Sequence, residues 1–586
     1  MKNNLQTVEL AFPKNMMSSS RSEFNMPSNF AKVIKNMIIH YSGAGSKRNG
    51  FSKIENDLPI GEKIIKLKHF PSSNGEVKFI AFTQSGKIFV RTENSVWQEI
   101  YSKLTPFNDI STTMFANKLI IANGVDNMLS FDGEKVETIT QYISQSKFSF
   151  SIASNTSLKT DVFKENFPAD RKVKVKFTDG EEVETTVSHT SASLESGFII
   201  LHFNDEVITK EVADVSYQLI APAFARVYSA HDRLWAMGKE KFDLNKYSSD
   251  VDRARIYYTD KTNDEASWFD DEGNLSGINI ADKMPESEEL VAMAVKDNMT
   301  IFFCRNYSQV WAGTNPRATG DFTWVKTLPI GLTHPELVVN MPNDIGFFSQ
   351  FGARTFSRFL QTEQLDIADM GSEVATDIHN AIEKLRLSIK QNKNIHSFQF
   401  HQQNWFGFKL EDETMIFQTA AGNLAWSKFD GIFADATAFL NTPNGKLYAA
   451  VNNKLYEYDI HSFADDSQPI HTVWTTAWFE PNKTRAWANK YTEIILEPSA
   501  LKTANLQRYK NYNSASYSLK EVNLKSLPDY FDTAHWDNAS FDANSKERAM
   551  VRDKFIANNL SFSLQTNDTA GPLTVYSVRF YGSKEK

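Results

Sequence analysis

The sequence predicts a mainly β fold: a β-propeller of about six blades, with a small inserted β-domain and a C-terminal β-sandwich-like module. Three observations predict it. Aromatic residues make up 13% of the 586-residue chain, and they recur in short alternating runs that suit pleated, half-buried strands. A pattern of short strand, tight polar turn and short strand returns along the chain, often followed by an aromatic. Each such hairpin alone is marginal in water, and radial repetition of small sheets removes the long open edge that one large sheet would expose.

The hairpins follow in order. Phe79-Ile80-Ala81-Phe82 turns at Gln84-Ser85-Gly86 into Ile88-Phe89-Val90 and reaches Trp97. Leu119 to Ala122 turns at Asn123-Gly124 and returns through Met128 to Phe131, an Asn-Gly pair being a strong hairpin signal. Arg226 to Ser229 turns near His231-Asp232 into Leu234-Trp235-Ala236, and Ile256-Tyr257-Tyr258 leads to Trp268-Phe269. Val291 to Ala294 turns at Lys296-Asp297-Asn298 into Ile301-Phe302-Phe303, then Gln309-Val310-Trp311 and Phe322-Thr323-Trp324. Further copies start at Ile345, run from Trp405 to Phe417, and run from Lys446 through Asn452-Asn453 to Tyr458.

Two stretches interrupt the pattern. Lys172 to Phe177 alternates basic and apolar residues, turns at Asp179-Gly180, and is followed by Val183 to Val187 and Phe198 to Leu201, which reads as a small β-domain between blades. Val374, Ile378, Ala381, Ile382, Leu385 and Ile389 keep helical spacing and define one apolar stripe, expected to dock on the protein's own sheet. Residues 1–60 therefore read as an N-terminal extended arm and the start of the propeller, and 61–150 as blades. Residues 151–220 are the inserted domain, 221–460 further blades with the amphipathic helix near 372–391, and 461–586 the C-terminal β-module. Within that module the polar stretch Leu527 to Arg552 reads as an ordered loop that contacts a neighbouring chain or module.

Composition excludes several function classes. Apolar residues at 41% and charged residues at 23% are globular values, and the net charge of -8 without a long Lys/Arg cluster argues against a groove that grips nucleic-acid phosphates. A mildly acidic wall instead repels phosphates and lets a polyanion slide past. The single cysteine, Cys304, leaves no internal disulfide, and no signal-like segment or membrane span is expected.

No catalytic, metal or cofactor residues are selected. Tyr258-Thr259-Asp260 to Ser267-Trp268 is similar to an Asp-box turn, a structural device. Glycan cleavage needs two carboxylates flanking the bond, and no pair stands out. Asp250-Val251-Asp252 and Asp270 to Asn274 lack the spacing that wraps a calcium ion. The histidines have no zinc spacing, and His231-Asp232 has no nucleophile elbow to complete a triad. Ser42-Gly43-Ala44-Gly45-Ser46-Lys47 lacks full phosphate-loop spacing and a helix behind it, so it reads as a flexible turn.

Several segments resemble the tail hub or nozzle family of short-tailed bacteriophages, also described as tail tubular protein B or packaged-DNA stabilisation protein. Asn29 to Ile54, with Ser46-Lys47-Arg48-Asn49-Gly50-Phe51, resembles the family's arm and "R-P-G-F"-like turn, Asn49 standing where Pro is usual. Val227 to Trp235 resembles a blade strand ending in "R-L", Ile256 to Asp260 the "Y-Y-S-D" element, and Val295 to Trp311 the following blade. The helix, Met415-Ile416-Phe417 and Trp426-Ser427-Lys428-Phe429 come next in the family's order. The inserted domain departs from the simplest members.

The resemblance implies a non-enzymatic virion protein. It would form a homo-oligomeric ring, commonly a hexamer, below the portal and adaptor rings, in a tail assembled in the host cytoplasm. That ring would line the DNA exit channel, retain the packaged genome and permit ejection. Its partners would be other copies of the chain, the adaptor ring, tail fibres or spikes, and double-stranded DNA passing without specific binding. Aromatics near Trp474-Thr475-Thr476-Ala477-Trp478 are expected to contribute to ring contacts. The competing readings are a receptor- or glycan-binding propeller of a tail fibre or adhesin, and a propeller glycosidase.

Overall fold

Small antiparallel sheets, joined strand to next strand, account for most of the chain, which is 53% strand and 7% helix. The computed structural model describes all residues except 1–4, 72–76, 94, 239–250, 286–287, 363–369, 389–394, 411–412, 421–422, 502, 525–546 and 585–586. The fold is a β-propeller, and seven blade sheets are traced among the described residues.

Blade 1 comprises Ile64–Pro71, Val77–Thr83, Ile88–Thr92 and Gln98–Tyr101; blade 2 comprises Ser111–Phe115, Lys118–Ala122, Leu129–Phe131 and Val136–Thr138. Blade 3 is Arg226–Ala230, Arg233–Met237, Arg255–Tyr258 and Gly277–Asn279, and blade 4 is Leu290–Lys296, Met299–Cys304, Ser308–Ala312 and Thr323–Leu328. Blade 5 has three strands, Val338–Met341, Asp344–Ser349 and Gly352–Thr355. Blade 6 runs through His396–Phe400, Trp405–Leu410, Glu413–Ala420 and Asn423–Phe429, and blade 7 through Ala438–Asn441, Leu447–Val451 and Lys454–Asp459.

The turns explain the pattern. Ala116-Asn117 and His231-Asp232 both have two consecutive positive φ angles, the backbone twist that joins adjacent antiparallel strands without splaying them. Cys304 is fully buried in blade 4, and burial pushes its thiol well up.

The chain divides into two compact units. Apart from a few boundary residues, the first holds blades 1, 5, 6 and 7 and the C-terminal module; the second holds blades 2, 3 and 4 and the inserted domain. Within the first unit the leading strands of blades 5, 6, 7 and 1 lie side by side in that order. Within the second, the leading strand of blade 3 lies against those of blades 2 and 4.

Blade 7 takes its fourth strand from the other end of the sequence. Gly50–Lys53 pairs antiparallel with Lys454–Asp459, in register Phe51↔Tyr458. The rest of the arm enters the C-terminal module, which is two packed sheets. Gln6–Ala11, Met37–Ile39 and Gly45–Lys47 join a six-stranded sheet built on Thr574–Lys584, Trp487–Leu496 and Glu547–Ala557. Ala31–Lys35 sits between blade 6 and Thr472–Thr476, so blade 6 continues laterally into a nine-stranded sheet ending at Asn513–Asn523. One core lies between these sheets, with Trp474, Leu506 and Phe562 facing Trp487, Ile494 and Phe580.

Three expectations change here. The inserted sheet starts at Thr140, not Ser151, because Thr140–Ser144 pairs along Val212–Ile220 rather than with blade 2. Trp474 and Trp478 are buried, so they are not exposed ring contacts: Trp474 lies 5.1 Å from both Phe12 and Phe562, and Trp478 lies 5.3 Å from Tyr512. Ser372–Val374 forms a short 3-10 turn leading into the helix Ala375–Ser388, while the expected end near 391 lies outside the described residues. Val374, Ile378 and Ile382 bury into the protein's own core, as expected for the stripe. A second helix, Phe356–Thr362, was not foreseen; it has only two turns, too short for periodicity to register.

The inserted sheet alternates as the sequence suggests. Val173, Val175 and Phe177 are buried, while Lys174 and Lys176 face outward opposite Glu184 and Glu182. The long strand Glu182–Ala192 has an irregularity between Val187 and His189, where its pairing passes from one partner strand to the next.

Candidate functional site

The leading strands of blades 1, 5, 6 and 7 bring charged side chains of distant sequence into one cluster. On the first strand of blade 1, Leu67 packs into a core shared with Leu440 and Tyr448 of blade 7. The two-residue period of a strand therefore points Lys66 and Lys68 together to the opposite face. Lys66 Nζ donates to both carboxylate oxygens of Glu336, at 2.8 and 2.9 Å. Glu336 stands just ahead of the first strand of blade 5, and its backbone N–H donates to His334 Nδ1 at 3.2 Å.

His396 opens blade 6 and hydrogen-bonds through Nε2 to the Thr437 carbonyl, 2.6 Å away; this fixes the proton on Nε2, because a carbonyl only accepts. Burial pushes the imidazole down to about 4, with Glu336 opposing the shift and Lys66 and Lys409 reinforcing it. Lys409, on the second strand of blade 6, is buried and donates to the Ala434 carbonyl. Burial also lowers the Lys68 ammonium to about 8, Lys66 adds to the shift, and Glu336 opposes it. Among the described residues the Lys66–Glu336 ion pair and the neutral His396 imidazole thus come together, with the Lys68 and Lys409 charges acting on them.

A second polar centre fastens the N-terminal arm. Arg48 is fully buried and all five of its N–H groups are used. Nε donates to Asn36 Oδ1 at 3.0 Å; Nη1 donates to Asp465 Oδ1 at 3.0 Å and the Asn49 carbonyl at 2.9 Å; Nη2 donates to Asp465 Oδ2 at 2.7 Å and the Asp430 carbonyl at 2.9 Å. The guanidinium lies 5.0 Å from the Phe433 ring centroid and 5.5 Å from that of Phe429. Gly431, at φ +64°, leaves room beside Asp465 that a Cβ would fill. Gly50 lies so close to the Ala464 backbone that any side chain would collide with it.

The residues weighed in the sequence take structural posts. Ser42 to Lys47 is a hairpin between Met37–Ile39 and Gly45–Lys47, with Gly43 at φ +81°. Lys47 is buried, its Nζ donates to the Asp568 carbonyl at 2.7 Å, and burial lowers its ammonium to about 8. Asp260 accepts from Ser276 Oγ at 3.1 Å and pairs with Arg317 at 2.6 Å, while Trp268 is buried against Phe224. His231 Nε2 lies 3.0 Å from Thr300 Oγ1, on a blade turn. Asp270 caps its own turn by accepting from the N–H groups of Glu272 and Asn274. Asp250 and most of Leu527 to Arg552 lie outside the described residues. Among the described residues no group of three or more His, Cys, Asp or Glu side chains is placed to hold a metal ion, and no helix is long and apolar enough to cross a membrane.

Sequence reasoning missed the Lys66–Glu336 cluster. Its only local signal is the Lys-Leu-Lys alternation, which an ordinary solvated strand shows equally, and its carboxylate is 270 residues away.

No family model and no curated protein matches the chain. Among solved structures, the computationally designed Ika8 protein aligns at 10% identity over 70% of this chain and 100% of its own, with a TM-score of 0.32. Streptogramin B lyase aligns at 10% identity over 70% and 96%, with a TM-score of 0.25. The WD40 β-propeller domain of Doa1 aligns at 9% identity over 70% and 97%, also at 0.25. The blades are defined by the chain's own strand pairing.

Proposed function

We propose that this chain is a structural subunit of the tail nozzle of a short-tailed phage, a ring-forming protein that borders the DNA exit route, retains the packaged genome and lets it leave. The observation that carries the reading is the placement of the arm. The segment Ser46 to Phe51, which bears the family-like turn, leads directly into the strand that completes blade 7, and Arg48 locks it there. An arm, a run of blades with an insertion, a helix and a terminal β-module then follow in the order the resemblance implies. A net charge of -8 suits a wall that DNA slides past.

In this reading the subunits meet through heterologous contacts that close after a fixed rotation, six copies being the number the resemblance implies. They adjoin the adaptor ring above and fibres or spikes at the side. Electron microscopy of intact particles, with the chain labelled by a specific antibody, is expected to place it below the portal. Labelling at fibre tips with saturable binding on a glycan array would instead establish the adhesin reading. Release of a chromogenic sugar, abolished by replacing one carboxylate, would establish a glycosidase.

A further inference from the structure

We infer that Asn444 is a site of spontaneous covalent modification, at which the side-chain amide is lost as ammonia and the residue becomes aspartate or isoaspartate. The sequence has four Asn-Gly pairs, at 49–50, 74–75, 123–124 and 444–445. Glycine, without a Cβ, lets its backbone nitrogen swing onto the preceding side-chain carbonyl with least hindrance. Residues 74–75 lie outside the described residues. The other three pairs differ in what holds the reacting atoms. Asn123 is buried, its Nδ2 donates to Asp126 Oδ2 at 2.7 Å, and its Oδ1 accepts from the N–H groups of Val125 and Asp126 at 3.1 and 2.8 Å. The Gly124 N–H donates to the Phe224 carbonyl on a distant segment, at 2.9 Å. Asn49 Nδ2 donates to the Ile460 carbonyl at 2.7 Å, the Gly50 N–H to that of Ser462 at 2.8 Å, and Gly50 is pressed against the Ala464 backbone. In both pairs the leaving and the attacking nitrogen are fixed.

Asn444 is exposed on the turn between Ala438–Asn441 and Leu447–Val451 of blade 7, and among the described residues its Nδ2 has no hydrogen-bond partner. The Gly445 N–H bonds only within the turn, to the Thr442 carbonyl at 2.9 Å, so opening of a few exposed residues frees it. Thr442 Oγ1 lies within hydrogen-bonding reach of Asn444 Oδ1 and 3.1 Å from the Lys446 carbonyl. When its one proton points to Oδ1 it polarises the carbon to be attacked. Hydroxide from solution removes the Gly445 amide proton, and that nitrogen bonds to Asn444 Cγ. The bond from Cγ to Nδ2 then breaks, and ammonia leaves with a proton from solvent. Water opens the resulting cyclic imide at either carbonyl, restoring the peptide as aspartate or rerouting it through the side chain as isoaspartate. Oxidation states do not change, and either product adds one negative charge two residues before Lys446. The chemistry is independent of the nozzle reading, because it needs no ring, virion or DNA.

The test incubates the folded full-length chain in mildly alkaline, heavy-oxygen water at physiological temperature and follows label uptake at each asparagine by peptide mass spectrometry. A second sample is held unfolded in denaturant. Unfolded, the peptides containing Asn49, Asn123 and Asn444 should gain label at similar rates. Folded, Asn444 should stay within severalfold of its unfolded rate, while Asn49 and Asn123 fall at least about tenfold behind it, since their reaction waits on larger openings. Thr442→Val should slow labelling at Asn444 severalfold and leave the other two sites unchanged. Should that variant fail to fold, the ordering of sites in wild type still decides. Folded wild type in which Asn49 or Asn123 is labelled as fast as Asn444 overturns the proposal. So does an Asn444 that stays unlabelled while the unfolded chain is converted. A Thr442→Val rate equal to wild type overturns the part given to the hydroxyl.

Discussion

Arg48 illustrates how one buried polar residue can fix the register of an arm whose apolar side chains, such as Ile38 and Phe51, already pack into the core. Its guanidinium forms a two-pronged bond to Asp465 and spends its other donors on Asn36 and two carbonyls. Removing one partner of a buried pair strands the other charge, at a cost of about 3–5 kcal/mol. Asp465→Ala is therefore expected to lower unfolding stability by about that amount in urea titrations. Arg48→Lys should recover little of the stabilisation lost on removing the arginine, because an ammonium does not reproduce the planar fork; full stability in that variant would show that charge alone suffices. The resemblance to the family turn singled out this position in the sequence. Its partner Asp465 was not legible, since it lies 417 residues away and nothing local marks it.

His396 makes a pH-dependent contribution at the same scale. Burial lowers its imidazole to about 4 in the folded chain, against 6.5 ordinarily. The unfolded chain thus binds the proton first as pH falls. The stability this residue contributes is fully present above pH 6.5 and is lost as pH drops through about 4. His396→Gln keeps a donor for the Thr437 carbonyl and removes the titration. Between pH 6.5 and 4 wild type should lose up to roughly 3 kcal/mol more than this variant, at about 1.4 kcal/mol per pH unit. Equal slopes for the two proteins would show that the imidazole is not desolvated as described.

Among the elements, hairpins were the most readable because turn chemistry and alternation are local. Asn123-Gly124, His231-Asp232 and Asn452-Asn453 each mark a real reversal between paired strands. Lateral neighbours were less readable. The strands from Trp405 to Phe429 look like any other blade, and nothing in them announces that Ala31–Lys35 extends their sheet into the C-terminal module. Thr140–Ser144 likewise alternates like a blade strand, and only its pairing with Val212–Ile220 assigns it to the insertion. The helix Ala375–Ser388 was readable from its stripe, and Ile378 is fully buried beneath it. Ile378→Ala should cost about 2–5 kcal/mol in chemical denaturation, whereas replacing exposed His379 by Ala should change stability by less than about 0.5 kcal/mol.

At the scale of the chain, the N-terminal arm serves two structures of the first unit at once. Gly50–Lys53 completes blade 7, while Gln6–Ala11 lies along Thr574–Lys584. Deleting residues 1–53 would leave blade 7 one strand short and bare the edges of both C-terminal sheets. Unpaired edges of this kind template association. The truncated protein is expected to elute in the void volume on size exclusion or to be insoluble; a monodisperse product with wild-type thermal unfolding would show the arm to be dispensable.

The register Gln6↔Gly582 also has a consequence for biosynthesis. Gln6–Ala11 can pair only after Thr574–Lys584 has been translated, so it must wait through synthesis of all the blades and most of the C-terminal module. Contacts this remote in sequence form slowly, and the nascent arm stays open to wrong partners in the meantime. Crowded translation of many copies thus favours either a chaperone that shields the arm or exchange of arms between neighbouring molecules.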